Sequence, residues 1–482
     1  MNKNNNSYPK YNVFIAPEAI ALYCLILLSI IVLPLNFTGD RSDGIFHYLI
    51  SKTALKHPHH FFDLWNKPVF TLIAMPFAQF GLKGMHFMNI LIACLTGLIL
   101  HKTAKRLNLN FPWLAFIFLL CTPVYFNQLY TAMTEPLFAL HLTWIVYLYI
   151  DKKYASAAFF ASLLPLTRQE GYLLIPVLLV LYAFTKKWRY IPQLFSGLLF
   201  YSLIGYVFMD DFFILINRNP YNGEELYGHG TFFHFFERSE IMFGILLEVL
   251  MLVGILISAL RLRLLFSKNN FEGNQIGKKN VVTEFFLIAG YSVGFFMAHV
   301  IMWWKGIFSS YGLERVMACV VPLYVLLALR TVTSLYRIFK KRNSVKLSIM
   351  FGLVFSSASI WVLISRSSFP PKENIRYQEL VLKDAAAWVM KNKVQYSKIY
   401  FGNPYNILLY DLNPKEQIDS DELMYAGEVS NMKDQSLIIW DSEFGPGTRF
   451  GKEKITSDSN AVFLKSFGFE NYEVALFKKI KK

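Results

Sequence analysis

Long apolar runs alternate with short polar segments along most of the chain. Runs of about 18 or more apolar residues can cross a hydrocarbon core of roughly 30 Å as helices. The pattern therefore predicts an α-helical polytopic membrane protein with about eleven spans. The spans form a domain at 13–366, and a short tail at 1–12 precedes it. The predicted spans are about 13–35, 84–101, 112–127, 134–150, 155–166, 172–185, 192–209, 241–260, 282–303, 313–330 and 347–365.

Two polar segments between the spans are longer than the others, at 36–83 and 210–240. The first contains an apolar stretch, 67–81, that is short and broken by prolines, so we expect it to be re-entrant or to lie in the membrane interface. The second is aromatic and mixed in charge. Long loops without obvious structure are often functional, and the polar residues of this loop, including His229, are candidate substrate contacts.

The hydropathy pattern changes after the last predicted span. Residues 373–393 have the period of an amphipathic helix, and 397–403, 435–441 and 472–480 are typical of short strands between turn residues. One face of the helix is expected to be apolar, formed by Leu380, Val381, Ala385, Trp388 and Val389. We therefore predict a small soluble α/β domain over 371–482.

Composition supports a membrane protein, because 54% of the residues are hydrophobic and only 17% are charged, against about 25% charged in soluble domains. The net charge of +15 comes from Lys and Arg in short loops rather than from a basic face on a soluble module, so we expect no nucleic-acid partner. Basic loops alternate along the chain, and such loops are usually cytoplasmic. The rule places the N-terminus in the cytoplasm and both long loops and the C-terminal domain outside it. We expect a multi-pass protein of a bacterial inner membrane.

The cysteines and histidines give little support for a cofactor. The cysteines lie inside apolar runs and are interpreted as small buried hydrophobes; they are Cys24, Cys94, Cys121 and Cys319. The segment HPHHFFD clusters His57, His59, His60 and Asp63. Its spacing contains no pair of histidines four positions apart, as on one face of a helix, and no cysteine lies nearby, so ordinary interfacial histidines are favoured over a divalent metal.

Two acids, Asp40 and Asp43, follow the first predicted span directly. A structural interpretation is that Asp43 or Ser42 caps an amphipathic interfacial helix that begins at Gly44. A catalytic interpretation is that an acid at the membrane–water boundary takes a proton from an acceptor hydroxyl as a general base. Both can hold together, with Asp43 capping the helix and Asp40 acting on the substrate.

Three basic residues lie at the same predicted face of the membrane, namely Lys67, Arg168 and Arg315. A lysine at the end of a span can simply extend its amine to water, and Arg168 can pair with Glu170 to keep a short turn hydrated. Alternatively, the three cations bind the phosphate or sugar of a lipid-linked substrate, since arginine suits bidentate phosphate contacts. Glu135 can interact with the dipole of a helix start, and Glu135 and Glu170 are also candidate substrate contacts.

The order and sidedness of these motifs resemble the GT-C superfamily of integral-membrane glycosyltransferases, which includes protein O-mannosyltransferases and lipid A aminoarabinose transferases. The motifs are an acid in the first outer loop, KP at 67–68, TEPLF at 134–138, LTRQEG at 166–171, YGHG at 227–230 and GLERV at 312–316. The resemblance covers roughly residues 10–365. Some members also carry a soluble domain after the last span.

The resemblance implies inverting transfer of a sugar from a polyprenyl-phosphate donor to a lipid, glycan or protein acceptor outside the cytoplasm. It implies that Asp40 is the first-loop base, with Asp43 second. Many relatives have two adjacent acids there, whereas these two are separated, so the choice between them stays open. It implies that Lys67 and Arg168 bind the donor phosphate, and Tyr227 of the YGHG motif is a possible substrate contact. The resemblance does not decide whether a metal is needed.

Two other functions stay open. A polytopic transporter or lipid-linked glycan flippase usually places ionisable groups in the middle of its spans, and here the candidates are His141, Glu248 and His299. An O-antigen polymerase or ligase also handles polyprenyl-linked glycans, but it gives no reason for the acidic first loop or the soluble tail. Because the polar residues collect at one face of the membrane, we favour the transferase.

Overall fold

The computed structural model describes residues 16–35, 37–40, 42–221, 228–266, 280–339, 345–367, 369, 373–412, 428–447 and 451–480. The first part is helical. Helices α1 to α9 are Pro17–Val32, Asp43–Thr53, Pro68–Ala78, Gly81–Arg106, Leu114–Leu120, Pro123–Phe126, Glu135–Ile150, Tyr154–Leu163 and Leu174–Phe184. Helices α10 to α17 are Gln193–Met209, Ile214–Asn217, His234–Glu237, Ser239–Phe243, Ile245–Phe266, Tyr291–Lys305, Val321–Phe339 and Val345–Arg366.

Several of these helices can cross a membrane, which confirms the prediction of a helical integral membrane protein. Within the described ranges, six helical stretches are long and apolar enough: Gly81–Arg106, Trp188–Met209, Ile245–Phe266, Asn280–Lys305, Val321–Phe339 and Val345–Arg366. Shorter apolar helices include α1, α3 and α7. The predicted number of about eleven spans is therefore not established and stays a prediction.

Two predicted span boundaries are wrong, and a proline accounts for each. The predicted span 112–127 is two helices, because Pro123 has no backbone N–H and cannot continue the helix before it. The predicted span 313–330 begins later, as the helix Val321–Phe339. Pro322 suits this start, since the N–H groups of the first helical turn have no partner within the helix.

Burial separates the central helices from those at the surface. Nearly every apolar side chain of α16 is buried, and α4 is similarly enclosed. By contrast, α10 and α17 carry large exposed apolar side chains such as Phe200, Val207, Trp361 and Ile364. Continuous exposed apolar faces of this size are unfavourable in water, so we assign them to contact with lipid.

A small C-terminal sheet follows the last of these helices, as predicted. The elements are α18 (Glu373–Lys391), β1 (Ile399–Phe401), α19 (Tyr405–Leu409), β2 (Leu437–Asp441), α20 (Lys452–Ser457), β3 (Ala461–Phe469) and β4 (Tyr472–Lys479). The strand order is β1-β2-β4-β3, with β1 and β2 parallel and the other pairs antiparallel. The sequence did not predict β3, because a bulge near Phe463 breaks the two-residue alternation on which strand prediction depends.

The predicted apolar face of α18 is wrong at one position. Leu380 is 41% exposed, whereas Leu382 is 1% exposed and buried beside Val381, Ala385 and Val389. The buried stripe is therefore rotated slightly around the helix.

The C-terminal domain and the membrane helices share one apolar core. Ile45 and Leu49 of α2 and Phe70 of α3 belong to the same buried cluster as Val381 of α18 and Ile399 of β1. Each of these side chains is at most 6% exposed. The loop between α1 and α4 is therefore packed directly against the C-terminal domain.

Candidate active site

Asp40 holds the turn that leads into α2. Its Oδ1 atom accepts hydrogen bonds from the backbone N–H groups of Ser42 and Gly44, both at 2.9 Å. The second bond satisfies a donor of the first helical turn that has no partner within the helix. Glycine suits position 44, because a Cβ atom there would lie 3.1 Å from the Cβ of Asp40. The interpretation that Asp43 or Ser42 provides the cap is wrong, since the capping carboxylate belongs to Asp40.

Arg315 brings both first-loop acids together. It lies in the 3₁₀ turn Glu314–Cys319, before α16. Its Nη1 atom donates to Asp40 Oδ2 at 3.0 Å, and its Nη2 atom donates to Asp43 Oδ2. Burial alone would lower the pKa of this guanidinium, but Glu135, Asp40 and Asp43 raise it above its ordinary value. Arg315 thus remains charged and links two acids that precede it by more than half the chain.

Arg168 holds a second pair of acids from the turn between α8 and α9. Its Nη1 atom lies 2.9 Å from Glu135 Oε1, and its Nη2 atom donates to Glu170 Oε1 at 2.7 Å. The Nη1 atom also donates to Thr134 Oγ1 at 2.6 Å. Glu135 is fully buried and lies 3.5 Å from Arg315 Nε as well. Glu135 therefore joins the two arginines.

We call these six side chains the acid–arginine network; they are Asp40, Asp43, Glu135, Glu170, Arg168 and Arg315. The sequence predicted all six as site residues but not their mutual contacts. Each guanidinium is already paired with carboxylates, so neither arginine offers an unpaired positive charge. The arginines fix the acids in place, and a ligand phosphate that bound them would have to compete with those acids.

Lys67 lies near this network and differs from the two arginines in its hydrogen-bond partners. It directly precedes Pro68 of α3 and its side chain is buried. Its Nζ atom donates to the carbonyl oxygen of Leu64 at 2.8 Å and to the hydroxyl of Tyr221 at 2.9 Å. Within the described part of the chain, it forms no ion pair with a carboxylate. Burial, followed by the charge of Arg168, lowers the pKa of Lys67 to about 7.

Polar and aromatic groups fix the loop that carries Lys67. His47 Nδ1 lies 2.6 Å from Asn66 Oδ1, and Asn66 Nδ2 donates to Thr71 Oγ1 at 2.7 Å. The ring of His47 stacks on that of Trp65 with centroids 4.8 Å apart. Burial lowers the pKa of His47. These contacts therefore hold Lys67 in a fixed position relative to α2.

Tyr221 also lines an apolar groove of about 750 Å³. Its apolar lining includes Leu198, Phe213, Leu215, Ile216 and Phe308. Tyr221 belongs to the lining and also accepts the hydrogen bond from Lys67. Tyr221 therefore connects the amine of Lys67 to the apolar groove.

The predicted histidine cluster forms, but its members contact one another through their rings. The ring centroids of His59 and His60 are 4.3 Å apart, and those of His57 and His60 are 5.7 Å apart. Asp63 is engaged elsewhere, since its Oδ1 atom accepts hydrogen bonds from the backbone N–H groups that follow it. Among the residues that the structure describes, no three His, Cys, Asp or Glu side chains are arranged to hold a metal ion.

Of the other predicted substrate contacts, only His229 is described by the structure. Tyr227 lies outside the described residues, and His229 is exposed in the loop before α12. The sequence missed Thr134 and Tyr221. A signal existed for Thr134, which precedes Glu135 in the TEPLF motif, but nothing distinguishes Tyr221 from the other aromatic residues of its loop.

Comparison with known proteins gives a match at the level of structure. No protein-family model and no curated protein sequence matches the chain. Two structures of ArnT from Cupriavidus metallidurans are similar to it, one bound to undecaprenyl phosphate and one in the apo state, each with a TM-score of 0.56. The identities are 10% and 11%, and the alignments cover 96% of this chain and 97% of each ArnT chain. At this identity the likeness shows the fold alone, and the predicted resemblance is confirmed to that extent: the chain has a fold similar to that of ArnT along nearly its whole length.

Proposed function

We propose that the chain is a glycosyltransferase that moves a sugar from a polyprenyl-phosphate carrier to an acceptor on the extracytoplasmic face of a membrane. The fold supports this proposal, because a structure with the same fold is bound to undecaprenyl phosphate. The carrier and the surrounding membrane lipids are then its partners. The acceptor is a lipid, a glycan or a protein, and the proposed location is a bacterial inner membrane.

One observation carries the proposal, namely that the buried amine of Lys67 is bonded to Tyr221, a residue that lines an apolar groove. A lipid phosphate needs an apolar path for its chain and a cation for its head. We propose that the groove supplies the path and that the buried amine of Lys67, bonded to Tyr221 of the groove lining, supplies the cation. A buried ammonium without a carboxylate partner is unfavourable. A bound phosphate would provide the missing negative charge.

The acid–arginine network supplies a base for the proposed reaction. The base takes a proton from the acceptor hydroxyl, whose oxygen bonds to the anomeric carbon while the bond from that carbon to the phosphate oxygen breaks. Attack from the opposite side inverts the configuration. Lys67 stabilises the negative charge that develops on the leaving phosphate.

The hydrogen bonds favour Asp43 over Asp40 as this base. Both oxygens of Asp40 accept hydrogen bonds, from the helix start and from Arg315. The side chain of Asp40 is 15% exposed, whereas that of Asp43 is 39% exposed. A general base must reach the proton that it abstracts. We therefore assign the proton transfer to Asp43 and the shaping of the turn to Asp40.

The structure weakens one argument for a transporter. Glu248 was a candidate for an ionisable group in the middle of a span, but it lies in the first turn of α14, where its Oε1 atom accepts a hydrogen bond from Ser239. His141 is bonded to Thr167 in the turn before Arg168. These groups therefore do not form a polar path through the described spans.

Binding of undecaprenyl phosphate to the purified full-length protein tests the carrier site. Replacing Lys67 with Ala removes the amine beside Tyr221, so we expect the affinity to fall at least tenfold, as for the loss of a hydrogen bond to a charged group. Lys56→Ala is the matched control, because Lys56 lies in the same loop and is exposed. Equal affinities of the Lys67→Ala protein and the wild type would remove the phosphate site from this position.

The activity itself is tested in cells. Surface glycolipids and glycoproteins of a deletion strain are compared by mass with those of the same strain expressing the wild type or the Asp43→Asn variant. We expect one class of molecule to lose the mass of a sugar in the deletion strain and in the variant, and to regain it with the wild type. Identical masses in all three strains would contradict a glycosyltransferase.

A further inference from the structure

The carboxylate of Glu379, in α18 of the C-terminal domain, binds the loop that carries the first-loop acids. Its Oε1 atom accepts hydrogen bonds from the backbone N–H of Thr38 at 2.8 Å and from Thr38 Oγ1 at 2.5 Å. Thr38 is 4% exposed and Glu379 is 2% exposed. Hydrogen bonds to a charged group are stronger than neutral ones, so this contact fixes the backbone of Thr38.

Other contacts hold the same short segment from different sides. His86 Nε2, in α4, lies 3.4 Å from the carbonyl oxygen of Thr38. Gly39 has a φ of +73° and packs so closely that a Cβ atom would lie 1.8 Å from the carbonyl oxygen of Tyr130. The next residue is Asp40, which forms the turn into α2. The backbone from Thr38 to Asp40 is therefore held in place by contacts with α18, α4 and Tyr130.

We infer that Glu379 is a positioning residue for the reaction, and that the C-terminal domain serves to hold the first-loop acids against Arg315. The inference rests on the proposed function for the identity of the reaction, but the contact itself does not depend on it. Catalytic groups must be held within a fraction of an ångström of their working geometry by the residues around them. The C-terminal domain meets this requirement, because Glu379 binds the backbone of Thr38, two residues before Asp40.

Hydrogen–deuterium exchange of the full-length protein tests the positioning directly. In Glu379→Ala, the amides of residues 38–40 and 42–44 should exchange about ten times faster than in the wild type, because both bonds to Thr38 are lost. Glu379→Gln keeps an oxygen that can accept both bonds and should restore most of the protection. Asp384→Ala is the matched control, since Asp384 is an exposed acid on the same helix.

Two further measurements separate positioning from general stability. We expect Glu379→Ala to lower kcat of sugar transfer about tenfold or more, since small misplacements of catalytic groups are costly, while the Kd for undecaprenyl phosphate stays unchanged. If Glu379→Ala fails to fold, Thr38→Val removes one of the two bonds and should give the same local pattern of exchange at smaller size.

The outcomes distinguish the inference from the proposed function. Unchanged exchange at residues 38–44 in Glu379→Ala, or an equal increase in Asp384→Ala, would overturn the inference. A wild type that transfers no sugar would contradict the proposed function, while the exchange data would still decide whether Glu379 holds the loop.

Discussion

At the scale of single residues, Asp40 and Asp43 are expected to respond differently to the same substitution. Asp43→Asn removes the accessible carboxylate and should lower kcat by about 10²–10⁴, the usual contribution of a general base. It should leave the melting temperature nearly unchanged. Asp40→Asn keeps an oxygen for the N–H groups of Ser42 and Gly44 and should lower kcat less. A larger loss of kcat in Asp40→Asn would make Asp40 the base.

Lys67 should make carrier binding depend on pH. Because burial lowers its pKa to about 7, the free site carries the positive charge below about pH 7 and loses it above. A phosphate monoester has its second pKa near 6, so its own charge changes little above pH 7. We therefore expect the affinity for undecaprenyl phosphate to fall by up to about tenfold per pH unit between pH 7 and 9.

The matched variant for this prediction is Lys67→Arg, whose guanidinium stays charged over the whole range. Its affinity should be nearly independent of pH between pH 7 and 9. An equally steep loss of affinity in Lys67→Arg would show that another group is responsible.

The backbone at Lys67 gives independent support for a role of its side chain. Its φ is +70°, in the left-handed region that favours glycine and is uncommon for other residues. Folding alone would favour glycine here. Strained conformations are concentrated at functional sites, and a lysine retained at this position agrees with the proposed role of its amine.

The sequence could identify the charged residues of the site but not their partners. Asp40, Lys67 and Arg315 stand out because charged groups beside apolar runs are few. That Arg315 binds Asp40 could not be predicted, since 275 positions separate them and the contact depends on how the helices pack. The capping role of Asp40 was missed for a local reason, because the conformation of the turn decides which acid reaches Gly44.

At the scale of elements, a buried ion pair joins three helices away from the acid–arginine network. Glu284 accepts hydrogen bonds from Arg330 of α16 at 2.6 and 2.7 Å and from Arg261 of α14 at 2.6 Å. Glu284→Ala leaves Arg330 buried without its partner, which should cost about 3–5 kcal/mol. Thermal unfolding of the detergent-solubilised protein measures the loss as a lower melting temperature.

Glu18→Ala is the control for this prediction, because Glu18 forms an exposed pair with Lys102 on the surface of α1 and α4. Exposed pairs contribute little to stability, so its melting temperature should match that of the wild type. Equal melting temperatures for Glu284→Ala and Glu18→Ala would contradict the importance of the buried pair.

Two features of the helices could not be predicted from the hydropathy pattern. Apolar runs located the helices, but they did not locate the break at Pro123 or the 3₁₀ turn that precedes α16. Both are changes in backbone hydrogen bonding within an apolar run, which hydropathy does not register. The second matters for function, because it takes Arg315 out of the predicted span and into the turn beside Asp43.

At the scale of the whole molecule, the sequence indicated two parts, and the structure joins them. The membrane helices and the C-terminal sheet were both predicted from their periodicities. That they share an apolar core was not predicted. Both α2 and α18 are amphipathic helices, and neither sequence pattern identifies what its apolar face packs against. The likeness of fold to ArnT extends over both parts.

The shared core has a consequence for protein engineering. Separated from the rest, residues 373–480 would lose Ile45, Leu49 and Phe70 from the apolar cluster to which Val381 and Ile399 belong. A chimaera that exchanges this module between relatives must therefore carry the matching faces of α2 and α3 with it. Residues 373–480 must therefore be transferred together with α2 and α3, and a chimaera joined at the end of α17 would separate them.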